Sequence, residues 1–199
     1  MTVAIDKPAF PPRVKRWTKR EYNNLVERGF FNGQRLYLYR GELIEVAPMG
    51  TLHAHGITQC MNWLFEQFGK DDRFVIRCQM PFETPGESMP EPDLALVSPK
   101  QMDRTPHPNA AFLLIEVSDS SLEIDHAKAF DYAAAAVPEY WISNVIARTI
   151  EVFREPVEHS TAPLGWRFNW HKVFTETEQF APLAKPEALV TVATLMPQF

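Results

Sequence analysis

Two acidic residues stand in segments where a carboxylate is costly to bury. Glu116 interrupts an otherwise apolar run at 112–117, a pattern typical of a central strand covered on both faces. Its charge requires a nearby cation or several hydrogen-bond donors. Asp93 opens another predicted strand after a proline-rich loop. If the two strands are neighbours, both carboxylates lie at one end of the sheet, and two oxygen ligands plus waters are what Mg²⁺ prefers.

A lysine on the following predicted helix supplies a third candidate group. Lys128 lies in an alanine-rich stretch that allows a close approach to the sheet. Its ammonium could neutralise a scissile phosphate or orient the attacking water. The alternative is an (i, i+3) ion pair with Asp125 or Asp131 on an exposed helix, worth a few tenths of a kcal/mol. Spacing alone leaves both interpretations open.

Two further residues have a structural and a functional interpretation. Glu42 begins the second strand of a predicted hairpin and is either a water-mediated metal ligand beside Asp93 or a solvent-facing residue. His53 stands at the start of a long predicted helix, where it is either a proton carrier at the cleft or a surface histidine. A zinc site of His53, His55 and Cys60 is rejected, because histidines two positions apart point in different directions on a helix.

Other catalytic signatures are absent from the sequence. The serines at 118, 120 and 121 lack the G-x-S-x-G elbow of serine hydrolases and fit a polar turn before a helix. Neither G-x-x-x-x-G-K nor G-x-G-x-x-G occurs, so nucleotide cofactors are not implied. Cys60 and Cys78 form no C-x-x-C motif, and we expect them to be buried thiols in a reducing cytoplasm.

The elements that must position these residues alternate between helix and strand. Apolar spacing predicts helices at 18–28, opened by a Thr18–Glu21 capping box, at 52–68 and at 125–136. Strands are predicted at 35–39, 42–46, 74–80, 93–97, 112–117, 140–142, 149–153 and 166–173, followed by a loose proline-punctuated tail. This order predicts an α/β (α+β) sandwich in which helices flank a mixed sheet.

Charge is distributed unevenly along the 199 residues. The net charge is −5, yet the first 40 residues hold nine basic and three acidic residues, a net +6, and the other 159 carry −11. This excludes a protein that coats polyanions, but an acidic body with a basic segment is compatible with a metal-dependent enzyme that grips a phosphate polymer by one edge. The alternative is a solvated basic helix. We predict an extended basic arm at 1–17 and one domain at 18–199.

No apolar run approaches the length of a membrane span, and Asp6 and Lys7 interrupt the N-terminal segment. The sequence therefore predicts a cytoplasmic protein that does not enter a membrane.

Several motifs occur in an order that points to a known family. They are GELIE at 41–45 with AP at 47–48 and His53, EPDLALV at 91–97, LLIEVSDSSL at 113–122, Lys128 with Tyr132, and VPEYWI at 137–142. Each motif is weak by itself, but the ordered set resembles the Uma2 (DUF820) group of the PD-(D/E)XK nuclease superfamily. The resemblance covers about residues 18–155.

The resemblance implies a restriction-endonuclease-like fold and a divalent-metal phosphodiesterase site. By position, Asp93 matches the motif's aspartate and Glu116 its second acid, and Val117 would offer its backbone carbonyl to the metal. Ser118 occupies the place of the superfamily lysine, which Lys128 on the next helix would replace. The family also has an acid at the position of Glu42.

Two hypotheses for the function follow. The first is an endonuclease that hydrolyses DNA with Mg²⁺ or Mn²⁺ and forms a homodimer. The second is a catalytically inactive nucleic-acid-binding or homodimeric interaction module on the same fold.

The family's usual glycine before the Val-Pro pair is Ala136 here, so the helix that carries Lys128 lacks the glycine that favours a left-handed end.

Overall fold

The computed structural model describes residues 13–103 and 107–198. Within them the α-helices are α1 (Lys19–Glu27), α2 (Thr51–Phe68), α3 (Leu122–Ala134) and α4 (Val192–Leu195). The strands are β1 (Leu36–Tyr39), β2 (Glu42–Glu45), β3 (Val75–Cys78), β4 (Leu94–Val97), β5 (Leu113–Ser118), β6 (Glu139–Asn144), β7 (Thr149–Glu158), β8 (Trp166–Phe174), β9 (Gln179–Phe180) and β10 (Val190–Thr191). Most of the predicted basic arm lies outside the described residues, and 13–17 have no regular structure.

A six-stranded mixed sheet forms the centre, in the order β3-β4-β5-β6-β7-β8. Neighbouring strands are antiparallel except β5 and β6, which run parallel. That parallel pair requires a crossover, and α3 supplies it. The predicted mixed sheet with flanking helices is confirmed.

Side chains alternate between the two faces of β5, as the strand period of two requires. Leu113, Ile115 and Val117 pack in the core beneath α2, whereas Leu114 packs in the core beneath α3. Glu116 shares the parity of Leu114 and therefore points towards α3. The alternation thus turns a carboxylate to the helix that carries Lys128.

The N-terminal elements form a separate layer beside the sheet. Thr18 and Glu21 make both hydrogen bonds of the predicted capping box at the start of α1. β1 and β2 form the predicted hairpin, whose turn residues Arg40 and Gly41 have φ of 48° and 77°. A small core of Tyr22, Leu38 and Met89 holds this layer to the loop before β4.

The chain beyond β8 is more ordered than the predicted loose tail. β9 and β10 pair, and Phe180, Val190 and Leu195 are buried in the core beneath α2. The Cys60 thiol of α2 contacts the Leu195 carbonyl at 3.8 Å. The tail prediction was wrong. The prolines lie at the ends of short elements, and the apolar side chains of those elements complete this core.

The loop after α3 departs from ordinary backbone geometry. Ala136 has φ of 53°, a left-handed conformation that L-residues with a Cβ adopt at a cost. The helix itself begins at Leu122, three residues before the predicted start. No helix among the described residues is both long and apolar enough to cross a membrane.

Candidate active site

A cleft of about 290 Å³ opens beside the end of the sheet where β4 begins and β5 ends. The first turn of α2, the β1–β2 hairpin and the first turns of α3 form its other walls. Its polar lining includes Gln79, Glu91, Asp93, Glu116, Asp119, Asp125, Lys128, His53 and Arg35. The cleft thus collects charged residues from distant parts of the chain.

Asp93 lies immediately before β4 and is buried. Its Oδ2 atom accepts a hydrogen bond of 2.8 Å from the Val117 backbone N–H. Its Oδ1 atom accepts one of 3.1 Å from the Gln79 amide and lies 3.2 Å from His53 Nε2. The pairing of β4 with β5 places Asp93 beside Glu116, whose Oε2 atom is 3.4 Å from the Asp93 backbone N–H.

Glu116 is buried on β5 and receives two donors on one oxygen. Its Oε1 atom accepts a 2.6 Å hydrogen bond from the Tyr132 hydroxyl and lies 3.1 Å from Lys128 Nζ. Burial raises the pKa of Glu116 to about 7, although the Lys128 charge opposes that rise, and the charges of Asp125 and Asp93 add to it. Loss of hydration on burial is therefore the main reason that the charged form of this carboxylate is disfavoured.

Lys128 is buried on α3 between two carboxylates. Its Nζ atom lies 3.1 Å from Glu116 Oε1 and 3.1 Å from Asp125 Oδ1. Burial disfavours its charge, but the carboxylates of Glu116 and Asp125 outweigh burial and raise the pKa of Lys128 above its ordinary value. The (i, i+3) pair considered from the sequence exists, yet it lies inside the site and not on an exposed helix face.

Val117 and His53 are also adjacent to Asp93. Because N–H and C=O of one strand residue face the same neighbour, the Val117 carbonyl is directed to the side on which its N–H meets Asp93. His53 lies in the first turn of α2, and its hydrogen bond to Asp93 raises its pKa, with burial opposing. Its Nδ1 atom is 4.0 Å from Asp119 Oδ1.

Glu42 is not brought to this cluster. Its side chain is 55% exposed and forms an ion pair with Arg16, which lies before α1. The expectation that Glu42 points towards Asp93 is therefore not met, because Glu42 lies at the turn end of β2 and its carboxylate pairs with Arg16. Glu45, at the other end of β2, lines the cleft instead.

Three contributors were not foreseen as site residues. Gln79 follows β3 with φ of 49° and donates to Asp93, and no sequence pattern marks it. Tyr132 holds Glu116 from α3, one turn after Lys128, a spacing that the sequence does show. Asp125 is fully buried and accepts a 2.6 Å hydrogen bond from Ser121 as well as the Lys128 contact.

The donor set suits a hard divalent cation. Among the described residues, no group of three or more His, Cys, Asp or Glu side chains forms a metal site by itself. Mg²⁺ binds through one or two carboxylates and completes its shell with water, and Asp93 and Glu116 provide two carboxylates at a cleft with room for water. Burial is the largest cause of the raised pKa of Glu116, so a cation bound at this carboxylate would stabilise its charged form.

A protein-family model described as "Uma2: Putative restriction endonuclease" matches residues 20–183. The chain belongs to the Uma2 family. The matched segment contains every residue of the cleft named above. No curated protein matches the chain significantly.

One solved structure agrees with the fold of this Uma2 member, and a second is too dissimilar to compare. A putative nuclease belonging to DUF820 from Anabaena variabilis ATCC 29413 superposes with a TM-score of 0.60 at 14% identity, covering 80% of this chain and 88% of that one. This likeness confirms the predicted fold. The type IIG restriction endonuclease BpuSI matches with a TM-score of 0.35 and 15% identity over 52% of this chain and 11% of that chain, too low to indicate a common fold.

Proposed function

We propose that this Uma2 protein is a Mg²⁺- or Mn²⁺-dependent endonuclease that hydrolyses phosphodiester bonds of DNA. The observation that carries the proposal is the convergence of Asp93, Glu116 and Lys128 in one cleft, with Lys128 Nζ 3.1 Å from Glu116 Oε1 and the Asp93 N–H 3.4 Å from Glu116 Oε2. These residues come from two strands and a helix, so the fold and not local sequence brings them together.

In this proposal Asp93, Glu116 and the Val117 carbonyl hold the cation. When bound, the cation polarises the phosphate and lowers the pKa of a coordinated water. Lys128 keeps its proton and presents a fixed positive charge to a phosphate oxygen in the cleft. His53 and Gln79 orient Asp93 through its Oδ1 atom and act as positioning residues.

A cleavage assay tests the proposal. Its substrates are supercoiled plasmid and labelled single- and double-stranded oligonucleotides, with Mg²⁺ or Mn²⁺ and at varied salt. We expect Asp93→Asn, Glu116→Gln and Lys128→Met each to lower the rate by about 100-fold or more. The first two remove a carboxylate that would hold the cation, and the third removes the positive charge that would face the phosphate. Chelation of the metal should abolish cleavage.

Matched variants control for charge removal elsewhere. Glu42→Gln removes a carboxylate that is paired with Arg16, and Asp71→Asn one that is paired with Arg73. Both should cleave like the wild type. Equal cleavage by wild type and Asp93→Asn would reveal a contaminating nuclease and contradict the proposal.

The inactive-module hypothesis is favoured by one observation, that protein donors already contact all four carboxylate oxygens of Asp93 and Glu116. Calorimetric titration with Mn²⁺ separates the two hypotheses. Binding that Glu116→Gln abolishes supports the enzyme, whereas no binding at millimolar Mn²⁺ supports the module. We further propose a cytoplasmic homodimer, which light scattering of the purified protein would test.

A further inference from the structure

A second cavity, also about 290 Å³, adjoins the catalytic cleft. Arg35 and Glu91 line both cavities and form the wall between them. The other walls come from α1, from the segment between α1 and β1, and from the loop before β4. The two cavities are therefore adjacent and separated by the side chains of Arg35 and Glu91, so a nucleotide chain that crosses this wall would reach both.

Aromatic rings lie at this second cavity, where Tyr22 is buried and Phe31 is partly exposed. Tyr22 and Phe31 line it and stack on each other with ring centroids 5.9 Å apart and an interplanar angle of 25°. Phe30 meets Phe31 edge-on at 5.5 Å and is 72% exposed. An exposed aromatic next to a lined cavity is the arrangement on which unpaired nucleobases stack in single-strand-binding proteins.

Amide side chains accompany these rings. Asn23, Asn32 and Gln34 line the same cavity, and no hydrogen bond within the described part of the chain occupies their amide groups. An amide offers a donor and an acceptor side by side, which matches the hydrogen-bonding edges of nucleobases. The cavity thus combines stacking surface with polar groups that can read a base edge.

Acidic and basic side chains are nearly balanced at this cavity, because Arg35 and His107 line it together with Glu91. It lacks the cluster of carboxylates that lines the first cleft, which includes Asp93, Glu116 and Asp125. Arg35 lies on the shared wall, and Arg77 donates a 3.2 Å hydrogen bond to the carbonyl of Pro81, another lining residue. A phosphate between the two cavities would therefore meet a guanidinium.

We propose that the second cavity binds the base of an unpaired nucleotide next to the scissile phosphate, and that Arg35 contacts the phosphate between them. This inference rests on the proposed nuclease function and names its substrate class: single-stranded DNA, or duplex with a single-stranded tail. A base inside a duplex is stacked and paired, so it enters such a cavity only at the cost of unpairing.

Fluorescence anisotropy in the presence of EDTA tests binding without cleavage. The probes are a labelled single-stranded oligonucleotide, a blunt duplex of the same sequence and that duplex with a single-stranded tail. We expect the wild type to bind the single-stranded and tailed probes about tenfold more tightly than the blunt duplex, an effect of the size of one stacked base. Phe30→Leu and Phe31→Leu, which keep apolar volume but remove the ring, should lose most of this preference.

Phe65→Leu is the matched control, since Phe65 is 53% exposed on α2 and lines neither cavity. It should keep the wild-type preference. If Phe31→Leu fails to fold, Asn32→Asp replaces it, because Asn32 is exposed and a carboxylate there would repel the bound strand.

Two results would overturn the inference: equal wild-type affinity for blunt and single-stranded probes, or an undiminished preference in Phe30→Leu and in Phe31→Leu or its replacement Asn32→Asp. The proposed function fails separately. A single-strand preference that the aromatic variants lose, in a protein that never cleaves with Mg²⁺ or Mn²⁺, would support the base site and contradict the nuclease. Cleavage that depends on Asp93, in a protein that binds blunt and single-stranded probes equally, would support the nuclease and contradict the base site.

Discussion

Lys128 is the only cation within 4 Å of Glu116 among the described residues, and it also contacts Asp125. Asp93 lies beside Glu116 at the same end of the cleft, and His53 contacts Asp93. The carboxylates outnumber the lysine ammonium, so a divalent cation bound here would stabilise the charged form of Glu116.

The stability of the metal-free protein should depend on the titration of Glu116. Burial raises its pKa to about 7 from an ordinary 4.5, so the folded protein holds a proton that the unfolded chain has already lost between these values. The stabilisation is full below about pH 4.5 and is lost as the pH rises through about 7. Compared with Glu116→Gln, the wild-type free energy of unfolding should fall by roughly 3 kcal/mol between about pH 4 and pH 8.

Urea denaturation of both proteins across that pH range, with EDTA present, measures this difference. The comparison concerns the slope with pH and not the absolute stability, since Glu116→Gln also alters the Lys128 contact. Parallel curves for the two proteins would contradict the raised pKa.

Tyr132→Phe should weaken both folding and metal binding. The change removes a 2.6 Å donor to Glu116 and leaves a buried carboxylate oxygen with fewer partners. We expect the free energy of unfolding to fall by about 1–3 kcal/mol and Mn²⁺ affinity to fall about 10- to 100-fold. Denaturation and calorimetric titration measure the two effects.

Tyr22→Phe provides the comparison for Tyr132→Phe. It removes a 2.8 Å hydrogen bond from a buried tyrosine to the Leu36 carbonyl, outside the cleft that holds Asp93 and Glu116. It should cost stability but leave Mn²⁺ affinity unchanged. Unchanged affinity in Tyr132→Phe as well would show that Tyr132 does not support the metal site.

A site residue can be predicted from the sequence when its side chain is of a type that does not suit the segment around it. Glu116 is visible because an acid in an apolar strand requires compensation, and Asp93 because it opens a neighbouring strand. Glu42 and Gln79 are not distinguishable in this way. Glu42 pairs with Arg16 from a distant part of the chain, and the contact of Gln79 depends on a left-handed backbone after β3.

At the scale of elements, one residue at the end of α3 has an unfavourable backbone conformation, and a substitution can relieve it. Ala136 is exposed and has φ of 53°, a conformation that glycine adopts without steric penalty. Ala136→Gly should raise the free energy of unfolding by about 1 kcal/mol and the melting temperature by about 2–4 °C. Calorimetry measures both.

Ala135→Gly tests whether the gain depends on backbone conformation. Ala135 has φ of −80°, so glycine there relieves no backbone strain. It only increases the conformational entropy of the unfolded chain. It should lower the melting temperature. A gain of similar size in both variants would contradict the conformational explanation.

Helices and strands were predictable where the apolar pattern is strong. α2 and β5 were placed to within a residue, α2 by its regular helical spacing and β5 by its nearly uninterrupted apolar run. The tail was not, since β9 and β10 are two residues each and have no period of their own. Their positions are determined by the core they complete.

At the scale of the molecule, segregated charge should make DNA binding sensitive to salt. The net −5 of the whole chain conceals a basic N-terminal part, and phosphate contacts there would release counterions. Arg35→Gln should weaken binding of every DNA sequence similarly and reduce the slope of log affinity against log salt by about one. Anisotropy titrations at several salt concentrations measure the slope.

Arg73→Gln is the control for Arg35→Gln, because Arg73 is exposed, pairs with Asp71 and lines neither cavity. Its slope should equal that of the wild type. Salt-independent binding by the wild type would contradict an electrostatic grip on the phosphate backbone.

The burial of residues from 179–196 beneath α2 also bears on synthesis of the protein. Cys60 and Leu195 are in contact although 135 positions separate them. During translation, the apolar surface of α2 and of β5, the strand that carries Glu116, therefore stays uncovered until these residues have been synthesised. A chain stopped at residue 178 should neither bind Mn²⁺ nor cleave DNA, so the nascent polypeptide would leave nucleic acid near the ribosome uncut.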